Sequence, residues 1–396
     1  MHSYSLFSTS SNFYRHEMAH DRMHKWYIAS GAGEPGENSI PFESLASEYA
    51  SVKANSFNLP VHTADNIDLN RFNPLSKVTS GNPWTVQYEN QNRLNEIKLD
   101  VDRTFQDMAF FRKPEVQKSL IDVLFVFGKV RKLSYRQGMN EICAIVYHIV
   151  SEGFDAESQL PVAVPILVVK EAVAYAILSA LMMKVGIADF FYAQSVLHAP
   201  PSADNMTSSS PLLERCDKIF DLLCQKDQRL HKHLVMNDIS PNLFLVRWIR
   251  LWFSREFSFA STILVWDFIL NHIRPGSQLD FPSVVDYLAI AMLVNVRQSL
   301  LASDNSGCFT LLLKYPPPPD LGQLLDLALQ VQAGVPVHAP VVQRMPAAPT
   351  PPQSTRRDRV VSDLAAVIQD LKKSEASRNI QREIAKLEEI VKFLKI

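Results

Sequence analysis

Arg103 is the first side chain whose type and position suggest chemistry. The stretch Leu94–Met108 predicts a helix, because its apolar residues recur at helical spacing. At about 100° per residue they share one arc of about 80°: Leu94, Ile97, Val101, Phe105 and Met108. Arg103 points about 200° away from the centre of this arc, and Asp100 lies on its flank, where it can pair with Arg103. A guanidinium held outward on a rigid helix suits insertion into a partner's site; the simpler interpretation is an ion pair on a solvated face.

Gln137 is the second candidate, because it stands at the entrance of a predicted helix. Residues 116–130 are apolar on nearly every side, which predicts a central buried helix. A new apolar stripe then comprises Met139, Ile142, Cys143, Val146 and Ile149. Ser134 and Gln137 fit a capping box, in which Gln137 would reach back to a backbone amide. Gly138 allows a tight turn or the close approach of a partner. Spacing alone leaves the structural cap and the functional side chain both open.

The elements around these residues are predicted to be helical, and the fold class is all-α. Gly is scarce, at 12 residues, and helical periodicity outweighs strict alternation. A short helix is expected around Trp26, loops at 31–41 and 60–83, and a polar break at 199–210. Four prolines at 316–319 end helix formation and form either a surface turn or a polyproline ligand. A further helix is predicted at Leu321–Val331.

The C-terminal region differs in composition from the rest. Residues 334–355 hold six prolines, which predicts an extended linker after a domain at 1–333 with its core at about 15–330. Residues 356–396 carry two apolar runs with coiled-coil-like spacing and a phase break between them. This tail would self-associate or dock on a partner helix; the alternative is a helical hairpin packed on its own domain.

Composition excludes several classes of protein. Lys plus Arg total 40 and Asp plus Glu total 41, a balance that disfavours a dedicated nucleic-acid binder. Four cysteines without C-x-x-C spacing support neither a zinc ribbon nor a disulfide framework. No secretory signal is expected.

The apolar stretch Leu160–Met183 is interrupted by Pro165 and by two charged residues, so a loop followed by a buried helix is expected rather than a membrane span. The alternate histidines His231 and His233 do not face one way on a helix, which disfavours a metal site.

Two motifs together resemble those of a known family. Ile97–Thr104 reads I-x-x-D-x-x-R-T, and Tyr135–Met139 reads Y-x-Q-G-M. In this order, and with Arg103 and Gln137 34 positions apart, they resemble the two motifs of TBC-domain Rab GTPase-activating proteins. The Arg22-x-x-x-Trp26 motif is similar to the family's first motif. Downstream, three segments resemble the second half of the domain: Arg247-Trp248, Arg255-Glu256-Phe257 and Val265-Trp266-Asp267.

The resemblance implies a two-subdomain helical TBC domain that acts on a GTP-bound Rab GTPase. It makes Arg103 an arginine finger and Gln137 a glutamine finger, supplied in trans to the GTPase. Asp100 and Tyr135 would position the two fingers. The further residues that it implies, for support or Rab binding, are Thr104, Gly138, Met139, Arg22, Trp26, Trp266 and Asp267. It implies no cofactor, because GTP and Mg²⁺ belong to the Rab; no Walker-type phosphate loop is present.

Within this family the likeness is strongest to the retromer-associated, late-endosomal branch. Asn73–Ser76, Asp122–Phe125 and Arg247–Leu251 carry it. It implies a cytoplasmic protein recruited peripherally to endosomal membranes, and a retromer contact through Leu69–Ser76; an ordinary loop anchored on its own domain is the alternative there. Gln106 departs from the family, which usually has Pro after the arginine motif. The alternative function is a non-catalytic scaffold of the same fold that binds Rab or retromer.

Overall fold

The helical prediction is confirmed in the part of the chain that the structure describes. The structure is a computed structural model, and it describes residues 19–57, 83–155, 164–192 and 210–335. These ranges contain helices and turns and no β-strand. In chain order the helices are α1 (19–29), α2 (Phe42–Phe57), α3 (Pro83–Val101), α4 (Pro114–Arg131), α5 (Met139–Asp155), α6 (Ile166–Met183), α7 (Pro211–Lys226), α8 (Gln228–Met236), α9 (Asn242–Arg250), α10 (Phe259–Asn271), α11 (Val284–Asn295), α12 (Arg297–Leu301), α13 (Asn305–Leu313) and α14 (Leu321–Gln332). Short 3₁₀ turns occupy Ala109–Arg112 and Ile187–Phe190.

The helices pack as two groups. Helices α2 to α6 contact one another, with α4 against α2, α3, α5 and α6. The second group is built from α7 to α14, with α11 packed on α7, α9 and α14. This arrangement agrees with the predicted two-subdomain helical fold, in which each amphipathic or apolar helix buries its face against neighbours.

Helix α4 is the central helix that the sequence predicts. Its middle, from Val123 to Gly128, is buried, because apolar residues cover its whole circumference. The helix begins with Pro114 in the first turn, where a missing N–H costs nothing. It ends at Lys132 in the left-handed conformation, whose N–H returns to the carbonyl of Gly128. The chain then enters the segment that carries Gln137.

Helix α6 is a core helix rather than an isolated apolar segment. By length and composition it is the single described helix that could cross a membrane. It packs against α2, α4 and α5, and its Glu171 is buried and paired with Lys53 of α2 at 2.6 Å. A buried carboxylate requires such a partner. The predicted buried helix in Leu160–Met183 is therefore confirmed from Ile166 onward, although Ile166 and Leu167 at its start are exposed.

The predicted helix Leu94–Met108 is wrong at its C-terminal end, because α3 stops at Val101. The carbonyl of Asp100 accepts a hydrogen bond from the Thr104 hydroxyl at 2.7 Å and from the Arg103 N–H at 3.3 Å. These bonds replace the helical bond from residue 104 and tighten the chain into a turn. Phe105 then adopts φ 43°, and its ring packs at a tilt against Phe111 and edge-on against Phe259. Arg103 therefore projects from a turn and not from a helix.

Several predicted segments can be compared only in part. The short helix around Trp26, the loop after it and the helix at Leu321–Val331 are confirmed by α1, by the turns at 30–41 and by α14. The loop at 60–83, including Leu69–Ser76, lies outside the described residues except for Pro83, which begins α3. Of the polar break at 199–210, only Ser210 is described. The linker at 334–355 is described only in its first two residues, and the tail at 356–396 not at all.

Candidate functional site

Arg103 presents a largely free guanidinium at the surface. One of its terminal nitrogens pairs with the Asp100 carboxylate, and 60% of the side chain is solvent-exposed. The guanidinium carries five N–H donors in a planar fork, so this single pairing leaves most of them available to another group. The ion pair that the spacing suggests is therefore formed, but only its arginine is exposed, because Asp100 is buried.

Asp100 links the Arg103 turn to the segment that precedes α5. Its second carboxylate oxygen accepts a hydrogen bond from the Tyr135 hydroxyl at 2.7 Å. Burial raises the pKa of Tyr135 above its ordinary value, and the neighbouring Asp100 carboxylate raises it further. The phenol thus keeps its proton at neutral pH and acts as the donor to a charged acceptor, a stronger hydrogen bond than a neutral pair makes.

Gln137 lies in an exposed turn immediately before α5. Within the described residues, neither Gln137 nor Ser134 makes a side-chain hydrogen bond, so the capping box that their spacing permits is not formed. Gly138 follows with φ +103°, and a Cβ there would lie 2.8 Å from Cδ2 of Leu251. The positive φ favours glycine, and a Cβ would also require the Leu251 side chain to move. The backbone of Gly138 is therefore buried against Leu251, and the Gln137 side chain is exposed to solvent.

Tyr192, which follows the 3₁₀ turn at Ile187–Phe190, contacts the segment before Gln137. The Tyr192 hydroxyl donates to the Ser134 carbonyl, and the Arg136 guanidinium lies 5.9 Å from the centre of the Tyr192 ring. Burial raises the pKa of Tyr192 to about 12, so this donor persists at neutral pH. Met139 is buried, with its sulfur 3.3 Å from the Arg136 N–H, and anchors the first turn of α5.

Asn140 joins the two turns and was not singled out by sequence reasoning. Its side-chain oxygen accepts from the Gly138 N–H at 2.9 Å, and its nitrogen donates to the Thr104 hydroxyl at 2.8 Å. It is 4% exposed. A single Asn inside a predicted helix has no spacing signal; only its place directly after the Y-x-Q-G-M motif could have drawn attention to it. The finger cluster is defined here as Asp100, Arg103, Thr104, Tyr135, Gln137, Gly138, Met139 and Asn140.

The other predicted site residues form a second cluster, called the clasp: Arg22, Trp26, Trp266 and Asp267. The Asp267 carboxylate accepts from the Trp26 indole N–H at 2.7 Å and from Arg22 at 3.1 Å. The rings of Trp26 and Trp266 stack with centroids 5.6 Å apart, and both are buried. The clasp therefore fastens α1 to α10.

Residues 251–255 lie between the finger cluster and the clasp. Leu251 faces Gly138, and the Trp252 carbonyl accepts from the Trp266 indole N–H at 3.0 Å. Arg255 donates to the buried Glu141 carboxylate of α5 at 2.9 Å, and this hydrogen bond raises the pKa of Arg255. The second group of helices thus reaches the first turn of α5 directly behind Gln137.

No group of three or more metal-ligating side chains comes together in the described ranges. His231 and His233, the pair considered from the sequence, have separate environments. The His231 ring lies 4.5 Å from that of Phe220, and Nε2 of His233 lies 3.1 Å from the Ser303 carbonyl. Both histidines are therefore engaged in local packing.

The described part of the chain is a helical domain that carries two exposed polar side chains, Arg103 and Gln137, on neighbouring hydrogen-bonded turns, and comparison with known proteins identifies its class. The family model described as the Rab-GTPase-TBC domain matches residues 70–301. This range holds both turns of the finger cluster and most of the helices. The chain belongs to the RabGAP-TBC family.

Particular relatives resemble the chain over most of its length. It is 31% identical to TBC1 domain family member 5 of Homo sapiens over 307 residues, which cover 72% of this chain and 38% of that protein. It is 28% identical to TBC1 domain family member 13 of Mus musculus over 211 residues, or 53% of this chain and 46% of that one. The chain thus spans less than half the length of these curated relatives.

A solved structure shows the same fold. The Ypt/Rab-GAP domain of Gyp1p superposes with a TM-score of 0.57 at 15% identity, covering 82% of this chain and 92% of that one. At this identity the similarity concerns the arrangement of helices.

Proposed function

We propose that this chain stimulates GTP hydrolysis by a Rab GTPase, to which it supplies Arg103 and Gln137 in trans. One observation carries the proposal. The two side chains are exposed on separate turns, and buried hydrogen bonds among Asp100, Thr104, Tyr135 and Asn140 hold the two turns together. Membership of the RabGAP-TBC family supports a Rab as the partner.

Arg103 supplies the positive charge. During hydrolysis, negative charge spreads over the transferring phosphoryl group and the leaving oxygens, and a guanidinium donated from outside offsets it. Such a finger is worth about 10³–10⁵ in rate, or roughly 4–7 kcal/mol of barrier. The Asp100 carboxylate holds one end of the guanidinium. The fork is thereby oriented before the partner arrives, which reduces the entropy lost on binding.

Gln137 orients the attacking water. Its side-chain amide offers an acceptor to the water and a donor to a phosphate oxygen. The exposed turn and the close backbone packing at Gly138 place this amide beyond the surface of α5. It takes the place of the glutamine that a GTPase uses for the same purpose. GTP and Mg²⁺ are supplied by the Rab, and this chain contributes side chains and no cofactor.

The decisive experiment is single-turnover phosphate release from a panel of GTP-loaded Rabs. Wild type, Arg103→Ala and Gln137→Ala are compared with two matched controls, Arg229→Ala and Gln298→Ala. Both control residues are exposed, on α8 and α12 of the second group. Acceleration by wild type and by both controls, lost in both finger variants, is expected. Binding of Rab without acceleration by wild type would instead support the non-catalytic scaffold.

The site of action is proposed to be the cytoplasmic face of endosomal membranes. The similarity to TBC1 domain family member 5 supports this, together with the sequence likeness around residues 73–76. Retromer would bind through Leu69–Ser76, outside the described residues. Purified retromer is expected to bind the wild-type chain and not a variant in which residues 69–76 are replaced by a Gly-Ser segment of equal length; equal binding of both would refute this contact.

The domain organisation is proposed as 1–333 for the TBC domain, 334–355 for the linker and 356–396 for the tail. If the tail self-associates, light scattering will give a dimer mass for the full chain and a monomer mass for residues 1–335. A monomer mass for both would reject self-association and favour docking on a partner helix.

A further inference from the structure

We propose that Asn140 is a positioning residue that sets both fingers at once. In this proposal its carbonyl oxygen serves the Gln137 turn, and its amide nitrogen serves the Arg103 turn. The inference rests on the proposed function and adds a residue that fixes the relative placement of the two fingers.

Hydrogen-bond chemistry determines the orientation of the Asn140 amide. The Gly138 N–H, at 2.9 Å, can only donate, so the group that faces it must be the carbonyl oxygen. The opposite end is then the NH₂ group, which donates to the Thr104 hydroxyl at 2.8 Å and reaches the Asp100 carbonyl at 3.4 Å. The Thr104 hydroxyl passes its own hydrogen to the same Asp100 carbonyl. Every group in this set has a partner of the correct kind.

The two ends of the amide act on different fingers. The carbonyl end holds the amide of Gly138, the residue next to Gln137, and so fixes the turn that projects the glutamine. The nitrogen end donates to the hydroxyl of Thr104, next to Arg103, and reaches the carbonyl of Asp100, one residue before the end of α3. The Tyr135 hydroxyl gives its single hydrogen to the Asp100 carboxylate at 2.7 Å and packs 3.0 Å from the Asn140 oxygen, so it lies beside the carbonyl end of the amide.

Burial makes this arrangement strongly constrained. Asn140, Thr104 and Asp100 are 4%, 2% and 6% exposed, so water does not readily replace a lost hydrogen bond. A buried donor or acceptor without a partner is costly, and the turns would shift to find new partners. A displacement of about 1 Å in a catalytic group can reduce the rate about 10²-fold. Removal of this one side chain therefore disturbs two fingers that it does not touch.

Two substitutions separate the ends of the amide. Asn140→Ala removes both functions. Asn140→Asp keeps an acceptor for the Gly138 N–H but removes both N–H donors and sets a carboxylate against the Asp100 carbonyl oxygen, so it restores the glutamine side and disturbs the arginine side. Asn295→Ala is the matched control, because the Asn295 amide likewise donates to a side-chain hydroxyl, that of Tyr315 at 3.0 Å, but Asn295 lies on α11 in the second group.

Double-mutant cycles test whether Asn140 is coupled to each finger: single-turnover hydrolysis rates are measured for each finger variant with and without a substitution at Asn140. Asn140→Ala is expected to lower kcat about 10²-fold with little change in KM. In the Asn140→Asp background, Arg103→Ala should add much less than it does in wild type, because the finger is already misplaced. In the same background, Gln137→Ala should cost its full wild-type factor. Full, additive losses for both fingers in both Asn140 backgrounds would overturn the proposal.

Amide hydrogen exchange tests the positioning without using activity. Asn140→Ala is expected to speed exchange at residues 101–105 and at Gly138, while residues 123–127 in α4 stay protected. Asn140→Asp should restore protection at Gly138 alone. Unchanged exchange at both turns would refute the positioning role. If the wild-type chain accelerates no Rab, the proposed function is refuted, and so is any effect of Asn140 on catalysis. The exchange experiment would still decide whether Asn140 couples the two turns.

Discussion

The finger cluster and the clasp use similar residues in different ways. Each contains an arginine, an aspartate and an aromatic hydrogen-bond donor. In the clasp, Asp267 joins Arg22 and Trp26 across more than 240 positions of sequence. In the finger cluster, Asp100 binds an arginine only three residues away and a buried tyrosine. The first carboxylate fastens two helices; the second holds an arginine outward from a turn.

The exposure of the two arginines follows from this difference. Arg103 is 60% exposed and Arg22 is 29% exposed. Arg22 lies on α1, one turn before Trp26, and both side chains donate to the same Asp267 carboxylate. Arg103 follows the end of α3, and the chain turns away beneath it. The pairing of an arginine with an aspartate thus joins two helices in one region and leaves an exposed guanidinium in the other, depending on the backbone that carries it.

Arginine-to-lysine substitutions should give the largest difference in hydrolysis rate between the finger cluster and the clasp. Arg103→Lys is expected to lower kcat by about 10³ or more, close to 4 kcal/mol, because one ammonium cannot replace a planar fork. Arg22→Lys keeps a cation beside Asp267 and should leave the rate near wild type. Single-turnover hydrolysis measures both. Equal losses in the two variants would contradict the division between finger cluster and clasp.

The next effect is on stability. Trp26→Ala removes a buried ring from the clasp together with its hydrogen bond to Asp267, and should lower the free energy of unfolding by about 3–5 kcal/mol. Denaturant unfolding measures this change. The kcat per folded molecule should be retained below the unfolding transition. A variant of full stability would show that the ring stack does not hold α1 in place.

A smaller effect on both properties is expected from Gly138→Ala. The left-handed φ and the 2.8 Å approach to Leu251 should together cost about 1–3 kcal/mol of stability. The shifted turn should also lower kcat, because Gln137 lies directly before it. Gly334→Ala is a suitable comparison, since its φ is also positive but open space surrounds it. If both glycine variants behave alike, the close packing behind Gln137 is unimportant.

The smallest effect should follow Asp267→Asn. The neutral amide still offers an oxygen to Trp26 but loses the charge facing Arg22, which should cost about 1 kcal/mol. A modest fall in melting temperature with unchanged hydrolysis is expected. A loss of hydrolysis without a loss of stability would place Asp267 at the Rab surface and move the clasp into the catalytic interface.

The sequence singles out the two exposed candidate residues, but it does not predict the hydrogen-bond network beneath them. The motifs around Arg103 and Gln137 point to both residues because their order and separation are specific. Asp100 was expected to pair with or orient its neighbour, and the structure shows it doing so. Asn140 has no such pattern, because its role depends on Thr104, 36 positions earlier, and hydrogen bonds between distant residues leave no trace in local spacing.

The sequence by itself determined which helices are buried. Apolar periodicity reports directly on burial, so it predicts the all-round apolar α4 and the stripe of α5 that begins at Met139. The tertiary structure decided where α3 ends. Periodicity extends the helix to Met108, but side-chain hydrogen bonds to the Asp100 carbonyl and the packing of Phe105 on Phe259 end it at Val101. Helix propensity is weak beside such contacts, and because the helix ends there, Arg103 projects from a turn held against α5.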